Sequence, residues 1–252
     1  MSDSLVIIPT YNEKENIESI IRTVFELEKG FDILVIDDNS PDGTAGIVHR
    51  LISEEFSDKL FIEERQGKLG LGTAYIHGFI WALARDYEYI FEMDADFSHN
   101  PKDLPRLYSA CRDDGYDVSV GSRYSTGVNV VNWPIGRVLM SYFASKYVKF
   151  ITGLKVHDTT AGFVCYKRKV LETIDLDNIK FKGYAFQIEM KYTASFLGFK
   201  IKEVSVIFVN RRLGTSKMNT SIFGEAFFGV INLRWRSLTG KIKPKVKLVS
   251  DK

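Results

Sequence analysis

The sequence predicts an α/β fold, a mostly parallel central sheet with helices on both faces. Three observations carry this reading. Short apolar runs alternate with segments of 3.6-residue periodicity through the first half of the chain. Gly, Pro, Asn and Asp punctuate the junctions between them. Several of the apolar runs stop at acidic or polar clusters, as strands do where an open sheet turns its carboxyl ends toward a ligand.

Leu5 to Pro9 reads as the first strand. Ile17, Ile20, Ile21, Val24 and Phe25 then fall on one face of a helix, with Asn12 placed as its N-cap. Ile33 to Ile36 is the second strand. The turn Ser40 to Gly43 leads to a second helix marked by Ile47, Val48, Leu51 and Ile52. Leu60 to Ile62 makes a third strand, and the Gly-containing loop from Gly67 to Gly72 opens a helix over about Thr73 to Arg85. A fourth strand starts at Tyr89 and ends at Asp94, and Val118 to Val120 reads as another. Beyond it, Val138, Leu139, Tyr142 and Phe143 give helical spacing within Trp133 to Ile151. Such alternation implies right-handed crossovers and ligands gathered at the strands' carboxyl ends.

Composition narrows the class. With 252 residues, 45% hydrophobic, 26% charged and a net charge of +2, the chain reads as soluble and globular, long enough to bury a full α/β core. No run reaches the roughly 20 apolar residues of a membrane span. The opening MSDSLVIIPTYNE lacks the basic, apolar, small-residue order of a secretory leader. Cys111 and Cys165 have no CxxC spacing and no nearby histidine cluster, so buried thiols in a reducing compartment are expected. Charge is uneven: residues from Arg234 onward carry +6, and residues 1–233 carry −4. That block reads as a basic appendage. Because it is terminal and not interleaved with aromatics over a face, nucleic acid is not expected as a partner. Phe223, Phe227, Ile231, Trp235 and Leu238 precede it at helical spacing, a pattern shared by core helices and by helices lying in a membrane interface.

The densest chemistry lies in YIFEMDADFSHNP, Tyr89 to Pro101. Residues i and i+2 of an extended segment point the same way, so Asp94 and Asp96 can face one hard cation, with Mg²⁺ or Mn²⁺ favoured by oxygen ligands. The plainer alternative makes them caps of the helix that Pro101 begins. His99 stands without a second nitrogen or sulfur partner, so zinc is not expected. Strand one finishes in PTYNE (Pro9 to Glu13), strand two in DDNS (Asp37 to Ser40) and strand five in GSRY (Gly121 to Tyr124). Arg137 and Ser141 are i and i+4 on one helix face and, with Arg123, suit an anionic phosphate.

These motifs together, PTYNE, VIDDNSPDGT, KLGLGTAY, EMDADFSHNP and GSRY, resemble the polyprenol-phosphate mannosyltransferases of glycosyltransferase family two, over about Leu5 to Lys217. The resemblance implies a Rossmann-like A-type glycosyltransferase fold. It implies that Pro9, Tyr11, Glu13 and Asp37 or Asp38 hold the nucleoside, and that Asp94, Ala95 and Asp96 lie against the donor diphosphate and its cation. Ser98 stands where many relatives carry a metal-binding Gln. Arg123, Arg137 and Ser141 match positions contacting the lipid phosphate, and Arg211 and Lys217, flanking Gly214, match a mobile loop closing over the diphosphate. Asp158 and Glu189 are expected to be structural, because a phosphate acceptor is already ionised and needs no strong base.

The implied reaction is inverting transfer of mannose from GDP-mannose to a dolichyl or undecaprenyl monophosphate, with Asp94, Asp96 and Arg123 central. It would run peripherally at the cytoplasmic face of a membrane, reached through the C-terminal helix or a membrane-embedded partner. The alternatives are a related transferase using UDP-glucose or another nucleotide sugar, and a non-catalytic module binding membrane or nucleic acid. The expected organisation is a catalytic domain over 1–217, with a nucleotide-sugar half 1–125 and an acceptor half with the loop 126–217. An interfacial helix 218–240 and a basic tail 241–252 would follow.

Overall fold

The computed structural model describes residues 2–183, 185–210 and 221–245. Its first half is the expected alternation: β1 (Ser4–Thr10), α1 (Ile17–Phe25), β2 (Asp32–Asp37), α2 (Thr44–Glu54), β3 (Leu60–Glu64), α3 (Leu71–Leu83) and β4 (Tyr89–Glu92). These strands pair in parallel in the order β3-β2-β1-β4. The chain continues through α4 (Leu104–Arg112), β5 (Val118–Ser122), β6 (Val130–Val131), α5 (Ile135–Thr152) and β7 (Val164–Lys167). Then come α6 (Arg168–Thr173), α7 (Ala185–Phe196), β8 (Ile201–Ser205), β9 (Phe208–Val209) and α8 (Ser221–Leu238). β7 inserts antiparallel between β4 and β5, and β8 lies parallel to β5 at the edge. β6 and β9 form a separate short parallel pair, Val130 opposite Phe208.

Strand alternation divides the core into two layers. Val6, Ile8, Ile33 and Val35 pack under α1, α2 and α4, whereas Leu5, Ile7, Leu34 and Ile36 pack under α3, α6 and α7. The α1 stripe Ile17, Ile20, Ile21 and Val24 is fully buried, as its periodicity requires. A third, smaller cluster joins α5, α7 and α8 through Val148, Ile188, Tyr192, Val230 and Leu233. Cys111 and Cys165 are buried and unbridged.

Two local expectations are corrected. Asn12 does not cap α1: it sits at φ 57°, a turn through Glu13 follows, and the helix begins only after Asn16. Residues 241–245 are not a detached basic end. Ile242 is buried, Pro244 bridges to Ile174, and the Lys245 amide donates to the Thr173 carbonyl at 2.8 Å, so burial of one isoleucine draws the basic segment back onto the body. Arg236, counted in the same block, donates to Glu189 at 2.5 Å. The rest of the tail, with Lys247 and Lys252, lies outside the described residues, as do Arg211, Arg212, Gly214 and Lys217.

α3 lies close on the sheet because Gly78 has no side chain: a Cβ there would stand 2.8 Å from Cδ1 and Cγ2 of fully buried Ile7. Gly78→Ala is expected to destabilise the fold by about 1–3 kcal/mol through overpacking. Gly136→Ala, on exposed α5 with nothing within 4 Å of the new methyl, should stay within about 0.5 kcal/mol. Urea unfolding of both variants checks the contrast.

Candidate active site

β4 delivers the acidic pair. Asp94 is half-exposed, and its Oδ1 lies 3.4 Å from the Tyr75 hydroxyl on α3. Asp96 is nearly buried, and its Oδ1 accepts the Ser98 amide at 3.0 Å. Between the aspartate and that serine, Phe97 takes φ 57°, a conformation uncommon for a non-glycine residue and found where a site needs a sharp turn. His99 stacks on Phe163 at 4.9 Å, and its Nδ1 accepts the Asp94 amide at 3.1 Å. Burial pushes its pKa down to about 4, so the ring is neutral and acts as a brace. The aspartates are not helix caps. That role belongs to Asn100, whose Oδ1 accepts the Lys102 amide at 3.1 Å at the turn Pro101–Asp103.

No group of three or more His, Cys, Asp or Glu that could hold a metal exists among the described residues. Asp94 and Asp96 alone could hold a hard cation only if it took its remaining oxygens from a diphosphate and water, as Mg²⁺ and Mn²⁺ can. The structure gives the Ser98 backbone, rather than its hydroxyl, a defined duty in holding Asp96.

The neighbouring strand ends interlock. Asn12, Glu13 and Lys14 amides donate to Ser40 Oγ, Thr44 Oγ1 and Asp42 Oδ2 at 3.0 to 3.1 Å. Asp37 is fully buried. It accepts from Thr10 Oγ1, Ser40 Oγ and the Ser40 amide at 2.7, 2.6 and 2.8 Å, so both its oxygens serve the loop. Asp38, the other candidate for the nucleoside, is also buried, and its Oδ1 accepts Arg65 Nε at 2.6 Å. Arg65 also reaches Thr73 Oγ1 at 2.9 Å. Tyr11 lies under the Lys68 ammonium, 4.9 Å from its ring centre. Arg65 went unread in the sequence, although it follows β3 at the same edge as the other motifs.

A pocket on this edge gathers Asp94, Asp96, Ser98, Arg123 and Arg137 with Trp133, Gln187 and Asn210. Pro9, Tyr11, Glu13, Asp37, Asp38 and Ser141 do not line it. Arg123, expected to meet phosphate together with Arg137 and Ser141, is bound within the protein. Its Nε and Nη2 donate to Asp158 at 2.6 and 2.5 Å, its amide to the same carboxylate at 2.9 Å, and Nη2 also reaches Thr160 at 2.8 Å. Burial opposes the charge on Asp158, yet Arg123 beside it holds its carboxyl below the usual carboxylate range. A bidentate grip on phosphate through that edge is therefore closed. Arg137 donates to Asn210 Oδ1 at 3.1 Å and lies 4.0 Å from the Trp133 ring centre. Ser141 sits beside Tyr124, whose phenol burial pushes up. Glu189 is structural: it accepts the Lys180 and Phe181 amides and Arg236. Ala95 is buried between the two aspartates.

The model of the glycosyl transferase family 2 matches residues 5–175. The chain belongs to glycosyl transferase family 2. This family 2 transferase is 46% identical over 227 residues to the polyprenol monophosphomannose synthase of Mycolicibacterium smegmatis, covering 90% of this chain and 85% of that protein. It is 42% identical over 242 residues to the undecaprenyl-phosphate mannosyltransferase of Micrococcus luteus, covering 94% and 98%. Glucosyl-3-phosphoglycerate synthase from Mycobacterium tuberculosis in complex with UDP superposes with a TM-score of 0.65 at 18% identity, covering 94% of this chain and 80% of that one. Its complex with Mn²⁺, UDP-glucose and phosphoglyceric acid gives 0.65 at 18%, covering 94% and 79%. At that identity the likeness establishes the fold, an A-type glycosyltransferase fold, as the motifs implied.

Asp158→Asn leaves Arg123 buried beside a neutral partner, and a loss of about 3–5 kcal/mol is expected in urea unfolding. Because the folded pKa of Asp158 lies below the unfolded value of about 3.9, its contribution is complete above that value and fades as pH falls through the folded pKa. The variant should lack that part of the acid-unfolding limb.

Proposed function

We propose that this transferase moves a mannosyl group from GDP-mannose to the phosphate of a polyprenyl monophosphate, with inversion, at a membrane surface. The observation that carries the reading is one pocket lined both by an acidic pair, Asp94 and Asp96, and by Arg137, with Arg123 beside it already paired to Asp158. Such a pocket suits two anionic substrates, one brought with a cation and the other held by arginine. The two mannosyltransferase relatives support the sugar and the lipid acceptor.

In this reading, Asp38, Tyr11, Glu13 and Pro9 hold the nucleoside at the interlocked strand ends. Asp94 and Asp96, with Ser98 beside them, would hold a divalent cation, which would supply charge compensation for the departing diphosphate. Crystals of the solved synthase carry Mn²⁺, which agrees with this donor set. Arg137 contacts the acceptor phosphate directly. Arg123, already balanced by Asp158, shapes the wall, with Ser141 behind it. Arg211 and Lys217 remain candidates for closing over the diphosphate on the strength of their motif alone.

Membrane contact is supported by α5 and α8. Ile135, Leu139 and Phe143 on one and Phe227, Phe228, Ile231, Trp235 and Leu238 on the other are exposed, and Tyr147 stacks on Phe227 at 4.6 Å to join the two helices. Exposed apolar residues gathered on two touching helices are of the kind that marks an interaction surface. No helix among the described residues is long and apolar enough to cross a membrane.

Asp96→Ala should abolish transfer while thermal unfolding stays near that of the parent; a panel of labelled nucleotide sugars with polyprenyl phosphate measures it. Normal turnover by the folded variant would sink the scheme. The double substitution Trp235→Glu and Leu238→Glu should reduce recovery with anionic liposomes at least about tenfold, since each places a charge where apolar contact is proposed. Sedimentation checks this, and undiminished recovery counts against the interfacial helix.

A further inference from the structure

Beneath the pocket floor runs a chain of buried polar groups that none of the roles above uses. Glu92, two residues before Asp94 on β4, has no solvent exposure. Its Oε2 accepts Gln187 Nε2 at 2.7 Å, and its Oε1 has no hydrogen-bond partner among the described residues. One turn along α7, Lys191 is equally buried; its Nζ donates to the Ala161 carbonyl at 2.6 Å and lies 3.4 Å from Gln187 Oε1. Gln187 and Lys191 are i and i+4, so both project from one face of α7. Gln187 donates its amide nitrogen to Glu92 and turns its amide oxygen toward Lys191 Nζ, so the two neighbours together fix which way the amide points.

The residue that Lys191 holds is part of the loop that clamps Arg123. Asp158 and Thr160 bind the guanidinium, and Thr160, Ala161 and Gly162 line the pocket. At its other end the loop is tied by Glu203, which accepts the Asp158 amide at 3.0 Å and the His157 amide at 2.8 Å. Burying a lysine costs several kcal/mol where a methionine would pack without penalty. Burial pushes its pKa down to about 8, against the pull of Glu92 and Asp158. A group kept at such cost, donating to one carbonyl of a pocket loop, has a job at that loop.

We propose that Lys191 is a positioning residue: its bond to the Ala161 carbonyl holds the 158–162 loop, and with it the Asp158–Arg123 pair, in register with the β4 strand that ends in Asp94 and Asp96. It acts on the acceptor side, through the loop, and touches neither substrate. The inference rests on the reading of the arginine wall as the site for a phosphate monoester.

The test uses the full chain, Lys191→Met, and the double variant Glu92→Gln with Lys191→Met, which keeps the packing and strands no carboxylate if the single variant fails to fold. Steady-state transfer is measured with donor and polyprenyl phosphate varied separately, alongside thermal unfolding. In the folded double variant the KM for polyprenyl phosphate is expected to rise at least about tenfold, as small misplacements of reacting groups do, with the KM for the nucleotide sugar within about twofold. A purely structural role would move both constants or only the melting temperature, and either result overturns the proposal. So does an unchanged acceptor KM in a folded, active variant. Failure of the parent protein itself to use polyprenyl phosphate overturns the acceptor reading and takes this inference with it.

Discussion

The buried ion pair between Arg123 and Asp158 is the constraint on which the acceptor side of the site depends. A guanidinium taken out of water without a partner costs several kcal/mol, so the loop carrying Asp158 has no stable alternative place to be. Three hydrogen bonds from one arginine to one carboxylate leave little rotational freedom. Glu203 then fixes Asp158 from behind through its backbone amide. The electrostatic consequence follows directly. With Arg123 neutralised, the positive potential facing an incoming anion rests mainly on Arg137, which is stacked on Trp133 and oriented by Asn210.

Topology explains why these groups meet. In a wholly parallel sheet, the segment entering a strand lies at the edge opposite the ligands. β7 runs the other way between β4 and β5, so residues 158–162, which lead into it, arrive at the carboxyl ends of its neighbours. Val164 pairs with Glu92 on one side and Val120 on the other. One inverted strand thus carries Asp158, Thr160 and Ala161 to the edge where Asp94, Asp96 and Arg123 already stand.

What could be read from the sequence was local. β1 to β4 and their helices were legible because each element's period and its terminating polar cluster lie within about a dozen residues. The acidic pair, Arg137, and Asp37 or Asp38 stand out as candidates for the same reason. Arg123 stands out in its motif, but its pairing does not, because Asp158 lies 35 residues away on the loop that leads into an antiparallel strand with no local signal. β6 and β9 are two residues each and have no period to detect. Lys191 and Gln187 looked like ordinary helix positions, since nothing in FQIEMKY says that α7 is buried on every side. The Asn12 cap failed where two asparagines compete: Asn12 took the left-handed turn that asparagine tolerates, and the helix waited for Asn16.

α5 has two faces with different tasks. Ile135, Leu139 and Phe143 recur every four residues along one exposed side, while Arg137 and Ser141, offset by two positions and so by about 200°, lie toward the pocket and Tyr124. The same helix therefore presents a cation to the site and an apolar ridge to the surroundings, and α8 extends that ridge through the Tyr147–Phe227 stack. For a ligand that is itself divided into a charged head and a long hydrocarbon chain, this is a matching division. In the proposed reading, the head meets Arg137 and the chain lies on the ridge at the other side of the same helix. A short polar acceptor would draw nothing from the ridge, and its exposure would then be a liability to solubility with no compensating contact.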